Sequence, residues 1–132
     1  MSRKLPALNS DNQPFWQGGE QQTLLIHHCA DCEQYFHPPA AICPRCNSAQ
    51  VSPRAVSGHG HIISFTINYQ PWADDLEVPY VIAIIELDEQ VGLRLVSNIV
   101  GCAPESVAIN QRVVVHFMQF EDVWIPQFEV VS

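Results

Sequence analysis

Apolar and polar positions follow two regimes along the chain, and the change between them falls near Ser57. Downstream, His61, Ile63, Phe65, Ile67 and Tyr69 alternate with Ile62, Ser64, Thr66 and Asn68, the period-two pattern of a strand with one buried face. Tyr80 to Leu87 is an almost unbroken apolar run, which suits a central strand. Asp88 to Gly92 supplies a turn, and Leu93 to Val100 follows it, so the two runs predict a hairpin. Cys102 to Val107, with Pro104 and Glu105, predicts a single helical turn. Alternation resumes from Arg112 to Phe120, with Val113, Val115 and Phe117 on one side, and Trp124 to Val131 closes the pattern. Five strands with a short helical insert after the third match the order of an OB-fold barrel, with a small SH3-like barrel as the structural rival.

Upstream of Ser57 the pattern is broken by turn residues. Residues 1–20 are polar, punctuated by Pro6, Pro14, Gly18 and Gly19, and contain one apolar pair, Phe15-Trp16. Ser10 to Gln17 predicts a short helix with Ser10 or Asp11 as N-cap and a stop at Gly18-Gly19. Two large aromatics on so short a helix serve as anchors, either on the body of the same chain or on a partner. Thr23 to His28 reads as a strand, Tyr35 to Pro38 as its return, and Pro44 fixes a later turn. The expected organisation is mostly β: an N-terminal helical segment over 1–20, a small module over 21–50 and a five-stranded OB-fold over 51–132.

The small module carries the clearest chemistry, Cys29-x2-Cys32-x10-Cys43-x2-Cys46. Each Cys-x2-Cys unit turns two thiolates toward one point. Two units supply the closed sulfur tetrahedron that Zn²⁺ accepts, with no position left for water or substrate. Roughly thirty residues around one metal make a zinc ribbon, whose folding free energy comes largely from the ion. His27, His28 and His37 lie near enough in sequence to replace a thiolate, and iron also accepts four thiolates. The fifth cysteine, Cys102, reads as a small buried or half-buried apolar side chain.

Composition narrows the function classes. The 132 residues are 47% hydrophobic and 15% charged, enough for one real core and too apolar for a disordered chain. No apolar run approaches the roughly 20 residues of a membrane span, and the basic start MSRKLP leads into no apolar stretch. The expectation is a cytoplasmic protein, neither secreted nor membrane-integral, with its thiols in a reducing compartment. A formal charge of −8 opposes broad phosphate binding, so a nucleic-acid partner is not expected. The sequence shows no Gly-x-Ser-x-Gly elbow, phosphate loop or His-Glu-x-x-His pair, and His59 and His61 read as an ordinary turn and strand start. The segment Asn68 to Pro79 places Trp72 among Asp74, Asp75 and Glu77, which suits protein contact better than contact with an anionic nucleotide.

The order of these features resembles a family of small acyl-CoA-associated proteins, the domain of unknown function thirty-five, which join a rubredoxin-like zinc ribbon to an OB-fold. The resemblance is carried by Phe15-Trp16, Leu24-Leu25 before Cys29-Ala-Asp-Cys32, and His37-Pro38-Pro39 before Cys43-Pro-Arg-Cys46. It continues with Ser57-Gly58-His59-Gly60 opening Ile63-Ser-Phe-Thr66, Pro79-Tyr80, and Pro126-Gln-Phe128, and so spans nearly the whole chain. One departure is Ala40, where family members often carry arginine; Arg45 is the nearest substitute. The resemblance implies a non-catalytic accessory subunit that binds CoA or acyl-CoA, or docks on a thiolase-like, aldolase or hydratase enzyme. Phe15, Trp16 and Trp72 are the expected partner-binding residues and Zn²⁺ the expected structural metal, with no catalytic residue of its own. The competing classes are a single-stranded nucleic-acid binder, since ribbons and OB-folds both serve that purpose, and a rubredoxin-like electron carrier.

Overall fold

A computed structural model describes residues 7–69 and 78–131. Trp72, Asp74, Asp75 and Glu77 lie outside the described residues. The chain begins with a short helix, α1 (Gln13–Gln17), which runs on through a 3₁₀ turn over Gly18–Gln21. Asn9, not Ser10 or Asp11, sets its start: the Asn9 side-chain oxygen accepts the N–H groups of Asp11 and Asn12, each at 2.9 Å. Asn12 occupies the N-cap position. The two glycines therefore continue the turn that they were expected to end, and both are buried.

Three antiparallel strands follow in the order β2-β1-β3: β1 (Leu24–Cys29), β2 (Gln34–Phe36) and β3 (Val51–Val56). β3 has no apolar pattern, and its middle residues are exposed. It is a strand because it pairs with β1 along its length, from Leu24 opposite Val56 to Cys29 opposite Val51. As an edge strand it tolerates Pro53, which lacks an N–H.

The remaining strands are β4 (His59–Asn68), β5 (Tyr80–Leu87), β6 (Arg94–Val100), β7 (Arg112–Phe120) and β8 (Val123–Val130). They close a five-stranded barrel in the order β4-β5-β6-β8-β7. All pairs are antiparallel except β6 with β8, which meet in parallel only at Ile99–Phe128 and Val100–Glu129. The helical insert is one 3₁₀ turn over Pro104–Ser106, in the expected place. Gly58, at φ +79°, takes the chain from ribbon to barrel, and its carbonyl accepts the Val115 N–H at 2.8 Å.

The inner face of β4 differs from simple alternation. Register shifts between Ile62 and Ser64, so Ile63 is an extra residue and the pleat changes phase. Gly60 and Ile62 are buried before the bulge, and Phe65 and Ile67 pack on the core after it. On β5 the apolar run is buried on one face alone: Val81, Ala83, Ile85 and Leu87 are buried, while Ile84 is 36% exposed. One core joins Phe15 and β1's Leu24 and Ile26 to Ile62, Ile85, Leu87, Val113 and Phe128 of the barrel. A second, small cluster holds Cys29, Phe36 and Cys43. Cys102 is exposed, contrary to its expected burial, because it follows Gly101 in the turn leaving β6.

Candidate metal centre and adjoining cleft

Cys29 ends β1, and the chain turns back into β2 through Cys32 and Glu33, which takes the left-handed conformation at φ +58°. The second knuckle repeats the arrangement, with Asn47 at φ +63° directly after Cys46. The four sulfurs lie within 4.8 Å of one another, with Cys29 Sγ 3.6 Å from Cys46 Sγ and Cys32 Sγ 3.7 Å from Cys43 Sγ. A metal–sulfur bond of about 2.3 Å in a tetrahedron requires sulfur–sulfur edges of about 3.8 Å. The two close pairs fit that edge and are far too long for disulfides.

The backbone prepares the same sulfurs for an ion. The Cys46 N–H, and then that of Arg45, holds the Cys43 thiol down to about 7. The Cys32 N–H lowers Cys29 in the same way. Burial instead pushes Cys32 up to about 12, so a sulfur tetrahedron without a cation resists full ionisation. A divalent ion removes that conflict by holding all four as thiolates. With four protein ligands such a site is closed to substrate, and the set suits structural zinc.

The three nearby histidines do not join this cluster. His27 packs its ring on Phe36 at 5.7 Å, His28 on Tyr35 at 4.8 Å and His37 on Phe15 at 4.7 Å. Burial lowers the pKa of all three, and His37 falls to about 4. They act as neutral packing rings at neutral pH. Arg45, the substitute for the arginine absent at Ala40, is exposed on the second knuckle, whereas Ala40 packs against the metal-side cluster.

His37 and Pro38 lead from the ribbon into a cleft of about 460 Å³ between α1, β6 and β8. Its walls include Trp16, Leu95, Val96 and Pro126. It exists because β6 and β8 separate before their short parallel contact; the Ser97 hydroxyl, donating to the Pro126 carbonyl at 2.7 Å, is a buried bridge between them. Phe15 is 4% exposed, so its ring belongs to the chain's own core and supports Trp16 edge-on at 4.8 Å. Trp16 is half-buried in the cleft wall, and Trp72 lies outside the described residues. This cleft was invisible in the sequence, since its walls come from four distant segments. Ribbon and barrel are also fastened by a reciprocal pair: the Tyr35 N–H donates to Gln90 Oε1 at 2.8 Å, and Gln90 Nε2 donates to the Tyr35 carbonyl at 3.0 Å.

Comparison with known proteins agrees with this architecture. The family model described as the ChsH2 rubredoxin-like zinc ribbon domain matches residues 16–52, and the ChsH2 C-terminal OB-fold domain matches residues 53–118. The chain is 35% identical over 127 residues to a Thermomonospora curvata protein named "Probable enoyl-CoA hydratase alpha subunit", covering 96% of this chain but only 39% of that protein. It is 32% identical over 105 residues to a DUF35 domain-containing scaffold protein of Methanocaldococcus jannaschii, covering 78% of this chain and 73% of the relative. Among solved structures, a chain of the Ltp2-ChsH2(DUF35) aldolase superposes with a TM-score of 0.86 at 34% identity, over 97% of this chain and 100% of that one. The chain belongs to the DUF35 family, in which a rubredoxin-like zinc ribbon precedes an OB-fold domain.

Proposed function

We propose that this chain is a non-catalytic accessory subunit that docks on an enzyme of acyl-CoA metabolism and carries one structural Zn²⁺. The observation that carries the reading is the match, over nearly the whole chain, to the ChsH2-type partner in an aldolase complex. The relative named as a hydratase alpha subunit points the same way. The partner would be an aldolase, a hydratase or a thiolase-like enzyme. The described residues support a binding role: the cysteine cluster is closed, and the adjoining cleft is lined mainly by apolar and aromatic side chains. Trp16 and Trp72 would serve as anchors, with Phe15 as the internal support of Trp16, and an acyl-CoA would meet the chain at this cleft. The metal module would span 21–50 and the OB-fold unit 51–132, with β3 at the start of the latter lending its pairing to β1 before the barrel itself opens at His59, and the five unpaired thiols suit the cytoplasm.

A nucleic-acid role would need stacked aromatics and cations on the outer face of the second and third barrel strands. That face presents Ile82, Ile84 and Val96 with Tyr80 as its one aromatic among the described residues, and its one cation, Arg94, is tied to Glu86 at 3.3 Å. Affinity purification of the full chain from its host, with mass spectrometry and metal analysis, tests the proposal. The expected result is one acyl-CoA enzyme subunit in stoichiometric amount and one zinc per chain in a colourless protein. Co-purifying nucleic acid with no such enzyme, or a red iron tetrathiolate, would overturn it.

A further inference from the structure

β5 is patterned for burial on both faces, yet the described residues bury only one. Val81, Ala83, Ile85 and Leu87 fill the barrel, whereas Ile82 and Ile84 point outward. Ile84 sits directly opposite Val96 of β6, which is 67% exposed, and opposite Ser64 of β4 on its other side. Thr66 and Asn98 flank Ile82 in the same two registers. The result is an uncharged window on the outer barrel wall, closed at one end by the Glu86–Arg94 ion pair. An apolar centre with a polar rim is the anatomy of a protein interface. The window runs into the cleft beside the metal module, because Val96 and Trp16 line that cleft together.

Resting on the accessory-subunit reading, we infer that this window, centred on Ile84 and Val96 and continuous with the Trp16 cleft, is the surface that the acyl-CoA enzyme covers. The comparison with solved structures favours this occupant over a second copy: the solved relative that spans 97% of this chain is one component of the Ltp2-ChsH2(DUF35) aldolase. The window itself adds no charge and so accepts an apolar patch of a partner. A strand pair with facing Ile and Val supplies a rigid apolar centre, and Trp16 in the adjoining cleft supplies the aromatic type that most often anchors an interface.

The test uses the full chain and the acyl-CoA enzyme identified by mass spectrometry as its co-purifying partner, with affinity measured by calorimetry. Val96→Glu and Ile84→Thr are compared with the parent and with Ile109→Glu, which makes the same charge change at a 57% exposed site elsewhere. Val96→Thr keeps the strand's β-branched shape as a milder variant. Zinc content and near-ultraviolet circular dichroism select the variants that keep the fold. The inference expects Val96→Glu to weaken binding roughly thirtyfold or more, and Ile84→Thr and Val96→Thr roughly fivefold, with Ile109→Glu within about twofold. Window variants that all bind within about twofold of the parent would overturn the inference while leaving the accessory reading intact. A parent chain that binds no acyl-CoA enzyme would remove that reading and the inference with it. A parent homodimer that Val96→Glu converts to monomer would assign the window to a second copy and overturn the inference.

Discussion

Removing the metal should unfold the ribbon up to a sharp internal limit, because β1 is shared between two cores. Its Cys29 end belongs to the small cluster, where Phe36 is the one large apolar side chain that is buried. Burying a phenylalanine contributes about 2–3 kcal/mol, which the backbone entropy of ordering two or three residues already cancels. A bound structural zinc supplies on the order of 10 kcal/mol, so the knuckles and β2 depend on it. The other end of β1 is different. Leu24 and Ile26 are 1% and 0% exposed in the barrel core, and each contributes about 2 kcal/mol whether or not the metal is present.

The perturbation is chelation of the ion, or Cys43→Ser. Amide hydrogen exchange on the full chain reads the outcome residue by residue. Protection should vanish from residues 29–50 and persist at Leu24–Ile26 and in β4–β8, with a barrel that still unfolds cooperatively. Knuckles that stay protected without metal would refute the assignment of their stability to the ion. Equal loss of protection at Leu24–Ile26 would refute the shared-core argument.

Three further outcomes follow from particular contacts. Gly19→Ala places a methyl group 2.6 Å from Phe117 Cδ1 and against Trp124 Cβ, so it should cost about 1–3 kcal/mol in urea unfolding and shift the tryptophan near-ultraviolet signal. An unchanged midpoint would show that the glycine turn is not held against the barrel. Gln90→Ala removes both hydrogen bonds to Tyr35 and should cost about 1–2 kcal/mol, measured in the same way with saturating zinc. His37 falls from its ordinary 6.5 to about 4 through burial, so below pH 6.5 the unfolded chain takes up a proton that the folded one refuses. Stability should therefore decline as pH drops from 6.5 toward 4, by about 1 kcal/mol at pH 5.5. His37→Gln should flatten that slope in saturating zinc, and an unchanged slope would place the titration elsewhere.

What the sequence disclosed was chemistry written at short range. Two Cys-x2-Cys units need only local turns to aim their sulfurs, and the spacing therefore led to a cluster whose paired edges fit a metal. Barrel strands with one buried face were legible for the same reason, as at Arg112–Phe120, where alternation is intrinsic to the strand. β3 was not legible, because Val-Ser-Pro-Arg-Ala-Val has no pattern of its own and becomes a strand through pairing with β1. Nor was the bulge at Ile63, which depends on how β4 meets β5. The cleft depends on Trp16, His37, Val96 and Pro126 arriving together from four parts of the fold. Phe15 and Trp16 show the difference within two residues: both read as anchors and both border the cleft, yet Phe15 is buried in the core while Trp16 stays half-buried. The apolar run of β5 holds the converse lesson. Its outward Ile84 and the facing Val96 have no apolar cover among the described residues, and the inferred partner surface would supply one.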